Sequence, residues 1–221
     1  MAGYCFTARD LLRVRIARLT EAGAPVSGAS NGFVIDSAVQ LVATPTYDAG
    51  QTFTQRKGDG TVCAAFKDNN EPTGSDVTIQ VCEWDTQFIA LATCGQVIPP
   101  SGTIIGHRAR QADEPIYPVS LEWWTYNMDG KTLADNYQYR WFVIPYVKFT
   151  LGAETFEHGL NIVNLVGVGS ENNNITSNGP FDDWPTGVAQ VDGITSAYGE
   201  WVTNTLPASA CDYVNVSSSA S

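Results

Sequence analysis

One stretch of the chain, residues 137–169, constrains the fold more than any other. Across residues 139–149 nearly every position is aromatic or β-branched, which is typical of a strand, and alternate positions fall on opposite faces. One face of this strand is expected to contain Tyr139, Trp141, Val143, Val147 and Phe149. Pro145 cannot donate to a ladder, so a bulge or an edge is expected there. Both faces are apolar, so one should meet the core and the other a second sheet, a helix or another subunit.

A basic strand comes near the start of the chain. Leu12, Val14 and Ile16 alternate there with Arg13, Arg15 and Ala17, which gives an apolar face and a cationic face. Four arginines and one aspartate in the first 18 residues give a local net charge of +3. Because the whole chain has a net charge of −11, the remaining residues carry −14. Nucleic-acid binding by this acidic body is disfavoured, because affinity for phosphates depends on Lys and Arg.

One helix is predicted between residues 85 and 95. The Asp85 carboxylate can accept hydrogen bonds from free amides of the first turn. Phe88, Leu91 and Ala92 then form an apolar stripe at helical spacing. Gly95 can end the helix in a left-handed conformation. Since a helix this short is marginal alone, it should pack on a sheet.

The remaining pattern indicates a mainly β fold. Roughly eight or nine strands and one helix are separated by turn signals, which favours a β-sandwich or partly closed barrel with one short flanking helix. We assign residues 1–178 to this β domain. Residues 179–221 are interpreted as a loop-rich C-terminal extension with a disordered end.

Residues 45–60, PTYDAGQTFTQRKGDG, are predicted to form a long loop that carries Tyr47 and Phe53. Long loops with aromatic side chains are usually functional or disordered. Two interpretations stay open. The aromatic side chains could return to the core, or the segment could be an arm that orders against a neighbouring subunit. Only 16% of the residues are charged, which favours a surface partly buried against partners.

Motifs for chemistry are missing from the sequence. The five cysteines include no C-x-x-C pair, and Cys63 and Cys82 are expected to be small buried hydrophobes in a reduced cytoplasmic protein. The two histidines, His107 and His158, form no metal-binding pattern. No catalytic, cofactor-binding or metal site is predicted, and no signal peptide or membrane span.

Taken in order, these features resemble a known protein family. The pattern runs from the basic strand through the long early loop and the strand–helix unit at residues 77–95. It continues with LEWW, an NMDG turn, YRWFVIPYVKFTL, FEHG and a closing strand that ends in glycine. It resembles the major tail, or tail tube, proteins of long non-contractile-tailed bacteriophages. The resemblance covers residues 11–169.

The resemblance implies a non-enzymatic structural virion protein, made in the host cytoplasm, without a cofactor. Its copies would form hexameric rings that stack into a tube, alongside other tail proteins such as the tape measure and the terminator. Viral DNA would pass through an acidic, repelling lumen during ejection without specific binding. Tyr47 and Phe53 would anchor the arm on the adjacent ring. The basic strand departs from this pattern, because Arg13 and Arg15 would bind DNA if they faced the lumen. We therefore expect them to face carboxylates of a neighbouring subunit or ring.

Three alternatives remain at this stage. A tail terminator or distal tail protein would form single rings instead of tubes. A carbohydrate-binding β-sandwich would use Trp123, Trp124 or Trp184 as a stacking platform. A hydrolase could use a pair of carboxylates that no local motif marks.

Overall fold

The computed structural model describes most of the chain. The described residues are 7–82, 85–98, 106–129, 132–134, 137–157, 160–170, 172, 174–175, 179–184, 199–208 and 211–217. His158 and most of the tail expected to be disordered, residues 216–221, lie outside them.

Strands dominate the described residues, with a single short helix, α1, at Thr86–Thr93. The strands are β1 (Thr7–Arg18), β2 (Gly28–Ile35), β3 (Ala38–Asp48), β4 (Thr52–Arg56), β5 (Val62–Lys67), β6 (Glu71–Val81), β7 (Gln96–Ile98), β8 (Gly106–Arg108), β9 (Val119–Asp129), β10 (Thr132–Leu133), β11 (Tyr139–Glu157), β12 (Leu160–Ser170), β13 (Gly199–Thr203) and β14 (Asp212–Val216). The mainly β prediction is confirmed.

One large antiparallel sheet organises the molecule. Its order is β14-β2-β1-β9-β11-β12-β6-β3, with β10 added to β9 and β13 added to β11. Strands β2 and β3 are nearly at opposite ends of this order, yet only Asp36 and Ser37 connect them. Three Cα–Cα steps span at most about 11 Å. The sheet must therefore curl until its two ends approach each other, although it does not close into a barrel.

The curled sheet encloses the main core. Buried side chains from six strands and the helix form this cluster, among them Ile16, Phe33, Ile79, Phe88, Leu121, Ile144, Phe149 and Leu165. Helix α1 adds Phe88, whose ring lies 6.2 Å from that of Phe33 on β2. The predicted alternation of β1 is confirmed from Val14 to Ile16, because Val14 and Ile16 are in this core while Arg15 is on the other face. It is wrong for Leu12, because the pairing with β9 shifts register between Leu11 and Arg13 and Leu11 packs against the core instead.

The proline in β11 changes which residues share a face. The pairing of β11 with β9 shifts register between Ile144 and Val147, as expected around Pro145. Because an inserted residue reverses the alternation, Val147 and Phe149 join the main core with Phe142 and Ile144. The prediction that they share a face with Trp141 and Val143 is therefore wrong.

The end of α1 also differs from its prediction. Asp85 is the N-cap and accepts from the amides of Gln87 and Phe88, as expected. The left-handed residue at the C-terminal end is Cys94, with φ of 58°, and not Gly95. The Cys94 thiol and the backbone of Tyr117 hydrogen-bond to each other. Gly95 is needed for another reason, since a Cβ there would lie 2.6 Å from the carbonyl oxygen of Arg108.

The second face of the sheet is covered by the C-terminal part of the same chain. Trp124, Trp141, Val143 and Trp184 form a second buried cluster, against which Tyr139, Ile175, Trp201 and Leu206 pack. Strand β13 pairs with β11, and β14 pairs with β2. The division proposed at residue 178 therefore does not correspond to a break in the sheet.

Candidate assembly surfaces

Arg15 lies at the centre of the second cluster and is 5% exposed. Its guanidinium donates to both oxygens of Asp183, over 2.7 and 2.9 Å. It also donates to Glu122 through Nε, at 3.2 Å, and through Nη2. Both carboxylates belong to its own chain, whereas the sequence predicted carboxylates of a neighbouring subunit or ring. A single chain therefore satisfies this charge internally.

Glu122 is fully buried and accepts hydrogen bonds from three side chains. The indole N–H groups of Trp141 and Trp184 donate to its two oxygens, each over 3.2 Å. Together with Arg15 they occupy both carboxylate oxygens. A buried carboxylate is stable only when it is paired and hydrogen-bonded in this way.

Burial and charge oppose each other in this cluster. Burial raises the pKa of Glu122, the attraction of Arg15 works against that rise, and Asp183 adds to it. Burial also disfavours the charged form of Arg15, but the attraction of Glu122 and the contacts with Asp183 outweigh it and raise the pKa of Arg15. Arg15 therefore stays charged, while Glu122 is held less firmly in its ionised form than an exposed glutamate.

Residues 179–184, which we call the strap, close the cluster from outside. The ring of Phe181 lies 3.9 Å from the guanidinium carbon of Arg15, and the ring of Trp124 lies 5.0 Å from it on the sheet. The amide of Ser217 donates to Pro180 over 2.9 Å, which ties the strap to the end of β14. Cation–π contacts of this kind gain strength when they are desolvated.

Sequence reasoning did not identify Glu122. It lies within the LEWW motif, and its neighbours Trp123 and Trp124 fall on opposite faces of β9. The signal that could have found it is a lone carboxylate between two large apolar residues, Leu121 and Trp123, within a predicted strand. Pairing of β1 with β9 places Arg15 directly opposite Glu122.

Arg13, the second predicted contact, is half-buried near the link between β2 and β3. Its Nη1 lies 3.7 Å from a carboxylate oxygen of Asp36 and donates to the Leu12 carbonyl over 2.7 Å. Its Nε is buried without a hydrogen-bond partner in the structure. Arg13 and Arg15 thus have different partners despite their shared face.

The predicted long loop is largely strand. Tyr47 lies in β3, and β4 and β5 pair to form a two-stranded ribbon that contains Phe53. Thr52 and Thr54 flank Phe53, and such β-branched residues favour an extended chain. The ribbon continues the hairpin of β3 and β6 beyond Asp48.

Every residue of the two ribbon strands is exposed. Phe53 pairs directly with Phe66, and these side chains are 55% and 63% exposed. Cys63 is also exposed on the ribbon, and Cys82 is exposed at the end of β6, so the prediction that both are buried is wrong. No layer of the described chain covers the ribbon, and this leaves its cysteine and aromatic side chains in solvent.

The tryptophans considered for carbohydrate stacking are buried. Trp123 packs in the main core, and Trp124 and Trp184 pack in the second cluster. Trp124 stacks on Trp141, with ring centroids 5.4 Å apart. None of the three presents a free ring face for a saccharide in this structure.

Two properties of the described part of the chain concern metal ions and membranes. Within it, His, Cys, Asp and Glu side chains form no group of three or more that could hold a metal ion. No helix among the described residues is long and apolar enough to cross a membrane.

Comparison with known proteins found similarity among solved structures. No protein-family model and no curated protein sequence matches the chain. Among solved structures, it is similar to a chain of the sheath–tube complex of an extracellular contractile injection system, PVC, in its extended state. The two are 11% identical, the match covers 73% of this chain and 86% of the other, and the TM-score is 0.35. A similarity at this TM-score carries no argument about function.

Proposed function

We propose that this chain is a structural subunit of a long non-contractile phage tail. Its copies form hexameric rings that stack into the tail tube, a conduit for viral DNA, and the tape measure and terminator proteins are its partners in the virion. No catalytic role is assigned to any residue. The proposal rests on the order of sequence features described above and on surfaces that one chain leaves uncovered.

The observation that carries the proposal is the exposed ribbon formed by β4 and β5. A cross-strand pair of phenylalanines is a source of stability when it is packed, and a solvent-exposed pair contributes little. Phe53 and Phe66 are therefore available for a partner. The family resemblance places the contact between adjacent rings in the same part of the chain.

The end strand of the sheet supplies a second line of support. Strand β3 pairs with β6 on one side, and no described strand pairs with its other side. It is eleven residues long and contains no lysine. The features in it that could blunt an edge are Pro45, the terminal Asp48 and two register shifts, one near each end. Long unprotected edges tend to pair with another chain. Pairing between neighbouring copies would remove this edge within a ring.

Electron microscopy and sedimentation velocity of the purified full-length chain test the proposal. We expect tubes, or rings that stack as the concentration rises. Single rings that never stack would favour a terminator or distal tail protein. A chain that stays monomeric when concentrated would contradict the proposal.

A matched pair of variants tests the role of the ribbon. The double variant Phe53→Ser/Phe66→Ser should fold normally and lose stacking, because it removes the exposed aromatic pair. Val202→Ser, which changes an exposed apolar residue on β13, serves as the control and should leave stacking unchanged. Equal stacking by both variants would exclude the ribbon as the contact.

A further inference from the structure

The ribbon carries a charge opposite to that of the rest of the molecule. Residues 52–67 contain three cations, Arg56, Lys57 and Lys67, and one carboxylate, Asp59, so their net charge is +2. Because the whole chain has a net charge of −11, the remaining residues carry −13. None of these three cations forms a salt bridge within the described chain. The Arg56 guanidinium donates only to the Gly60 carbonyl, over 2.9 Å. The ribbon is therefore an uncovered sheet with unpaired positive charge.

The opposite end of the same hairpin is acidic. Strands β3 and β6 pair from Ala38 opposite Val81 to Asp48 opposite Glu71, and the ribbon extends beyond the second of these pairs. At the first end lies the link between β2 and β3, with the N-cap of α1 and the start of β14 beside it. We call this region the far end; its described carboxylates are Asp36, Asp85 and Asp212.

Contacts within the far end show that these groups lie close together. The Cys211 thiol lies 3.6 Å from a carboxylate oxygen of Asp36. Burial raises the pKa of that thiol, and the charges of Asp36 and Asp85 raise it further. Arg13 approaches Asp36 at 3.7 Å, while Asp85 and Asp212 have no salt bridge within the described residues. The negative charge of this end is therefore only partly compensated.

The two charged regions cannot neutralise each other inside one molecule. The eleven residues of β3 separate them, and ten steps of about 3.3 Å give roughly 33 Å. That is several times the Debye length of about 8 Å at physiological ionic strength. The complementary charges can meet only when the ribbon of one copy reaches the far end of another.

We infer that the ribbon of one copy docks head-to-tail on the far end of a second copy, with Arg56 and Lys57 against its carboxylates. This inference rests on the proposed function and adds the receiving surface and the polarity of stacking to it. The two surfaces differ, so the contact is heterologous and leaves one ribbon and one far end free at each end of the assembly. Such a contact supports growth without limit along one axis.

Native cysteines allow a direct test of this polarity. Cys63 is exposed on the ribbon, while Cys82 and Cys211 are exposed at the far end. Assembled full-length protein is treated with a short bis-maleimide, in which each of the two maleimide groups reacts with one thiol. The product is analysed on a denaturing gel and by peptide mass spectrometry. We expect a ladder of dimers, trimers and longer species in which Cys63 is joined to Cys82 or Cys211. Cys63→Ser should abolish the ladder.

Other cross-linking results would overturn the inference. Dimers joined only through Cys63 to Cys63 would indicate that ribbons meet head-to-head. Tubes that form normally but give no link between Cys63 and the far end would refute the docking surface and leave the proposed function intact. Failure of the untreated protein to assemble at all would instead refute the proposed function.

Charge reversal gives an independent readout. Arg56→Glu/Lys57→Glu should raise the protein concentration needed for stacking about tenfold or more, because like charges would then face each other. Adding Asp212→Lys should restore part of the loss. The control Arg9→Glu/Lys148→Glu makes the same change in net charge away from the ribbon and should have a smaller effect. Equal loss in both double variants, without rescue, would show that only net charge matters and would overturn the inference.

Discussion

Arg15 and the ribbon differ in whether other segments of the same chain cover their side chains. Both arise from strands that carry conspicuous side chains on a face away from the main core. The guanidinium of Arg15 receives two carboxylates and three aromatic rings from its own chain. Phe53 and Phe66 lie opposite each other on the ribbon, and both side chains are exposed. An unusual side chain on a strand therefore becomes an assembly contact only where no other segment of the same chain reaches it.

Removing the cation from the buried cluster should have the largest effect on stability. Arg15→Met leaves Glu122 and Asp183 without their cation, and breaking a buried ion pair in this way costs about 3–5 kcal/mol. Urea denaturation monitored by tryptophan fluorescence measures the loss. Arg9→Met is the control, because its ion pair with Asp10 is exposed and should contribute about 0–1 kcal/mol. Similar losses for both variants would show that the cluster is not a stability centre.

The pH dependence of stability should report on Glu122. Its pKa is raised above the ordinary value of 4.5 by burial. The folded chain therefore binds this proton more tightly than the unfolded chain does. The resulting stabilisation is fully present below the ordinary pKa and is lost as the pH rises through the raised pKa. The unfolding free energy of the wild type, measured relative to that of Glu122→Gln, should thus fall as the pH rises.

A glutamate with the opposite shift provides the control for that slope. A hydrogen bond from Arg108 lowers the pKa of Glu114. Its contribution should be present above its ordinary pKa and be lost as the pH falls through the lowered one. The unfolding free energy of the wild type, measured relative to that of Glu114→Gln, should therefore increase as the pH rises. Parallel slopes for the two variants would contradict the electrostatic account of the cluster.

The smallest change in stability is expected in the ribbon. Phe53→Ser/Phe66→Ser alters exposed side chains, and surface substitutions of this kind usually change the unfolding free energy by no more than about 0.5 kcal/mol each. Denaturation of the unassembled protein at low concentration measures this. A loss as large as that of Arg15→Met would mean that the ribbon packs on its own chain, and the contrast between the two regions would disappear.

Local patterns in the sequence predicted much of the fold. The alternation of β1 from Val14 to Ile16 and the N-cap at Asp85 depend on neighbouring residues alone, and both are confirmed. The bulge at Pro145 is also predicted, but its consequence for Val147 and Phe149 is not, because a register shift reverses the faces of the residues that follow it. An error of one position therefore affected half of the strand.

The candidate site was harder to predict because its partners are distant in the sequence. Arg15 meets Glu122 across 107 positions and Asp183 across 168 positions. A single sequence shows that Arg15 needs carboxylates but does not show which chain segment supplies them. Likewise, the exposure of Cys63 depends on the absence of a covering layer, which no local pattern of small apolar residues reveals.

The separation of Arg15 from Asp183 also has a consequence for synthesis of the protein. The arginine leaves the ribosome 168 residues before the aspartate that completes its pairing. At about 5–20 residues per second, this delay is roughly 10 to 30 s. Strand β9 and its Glu122 are made 107 residues after Arg15, so for the later part of that time β1 has its partner strands and one counter-ion, but not Asp183. Complete folding must wait until translation is nearly finished, so chaperone protection of the early strands would directly affect the yield of assembly-competent protein.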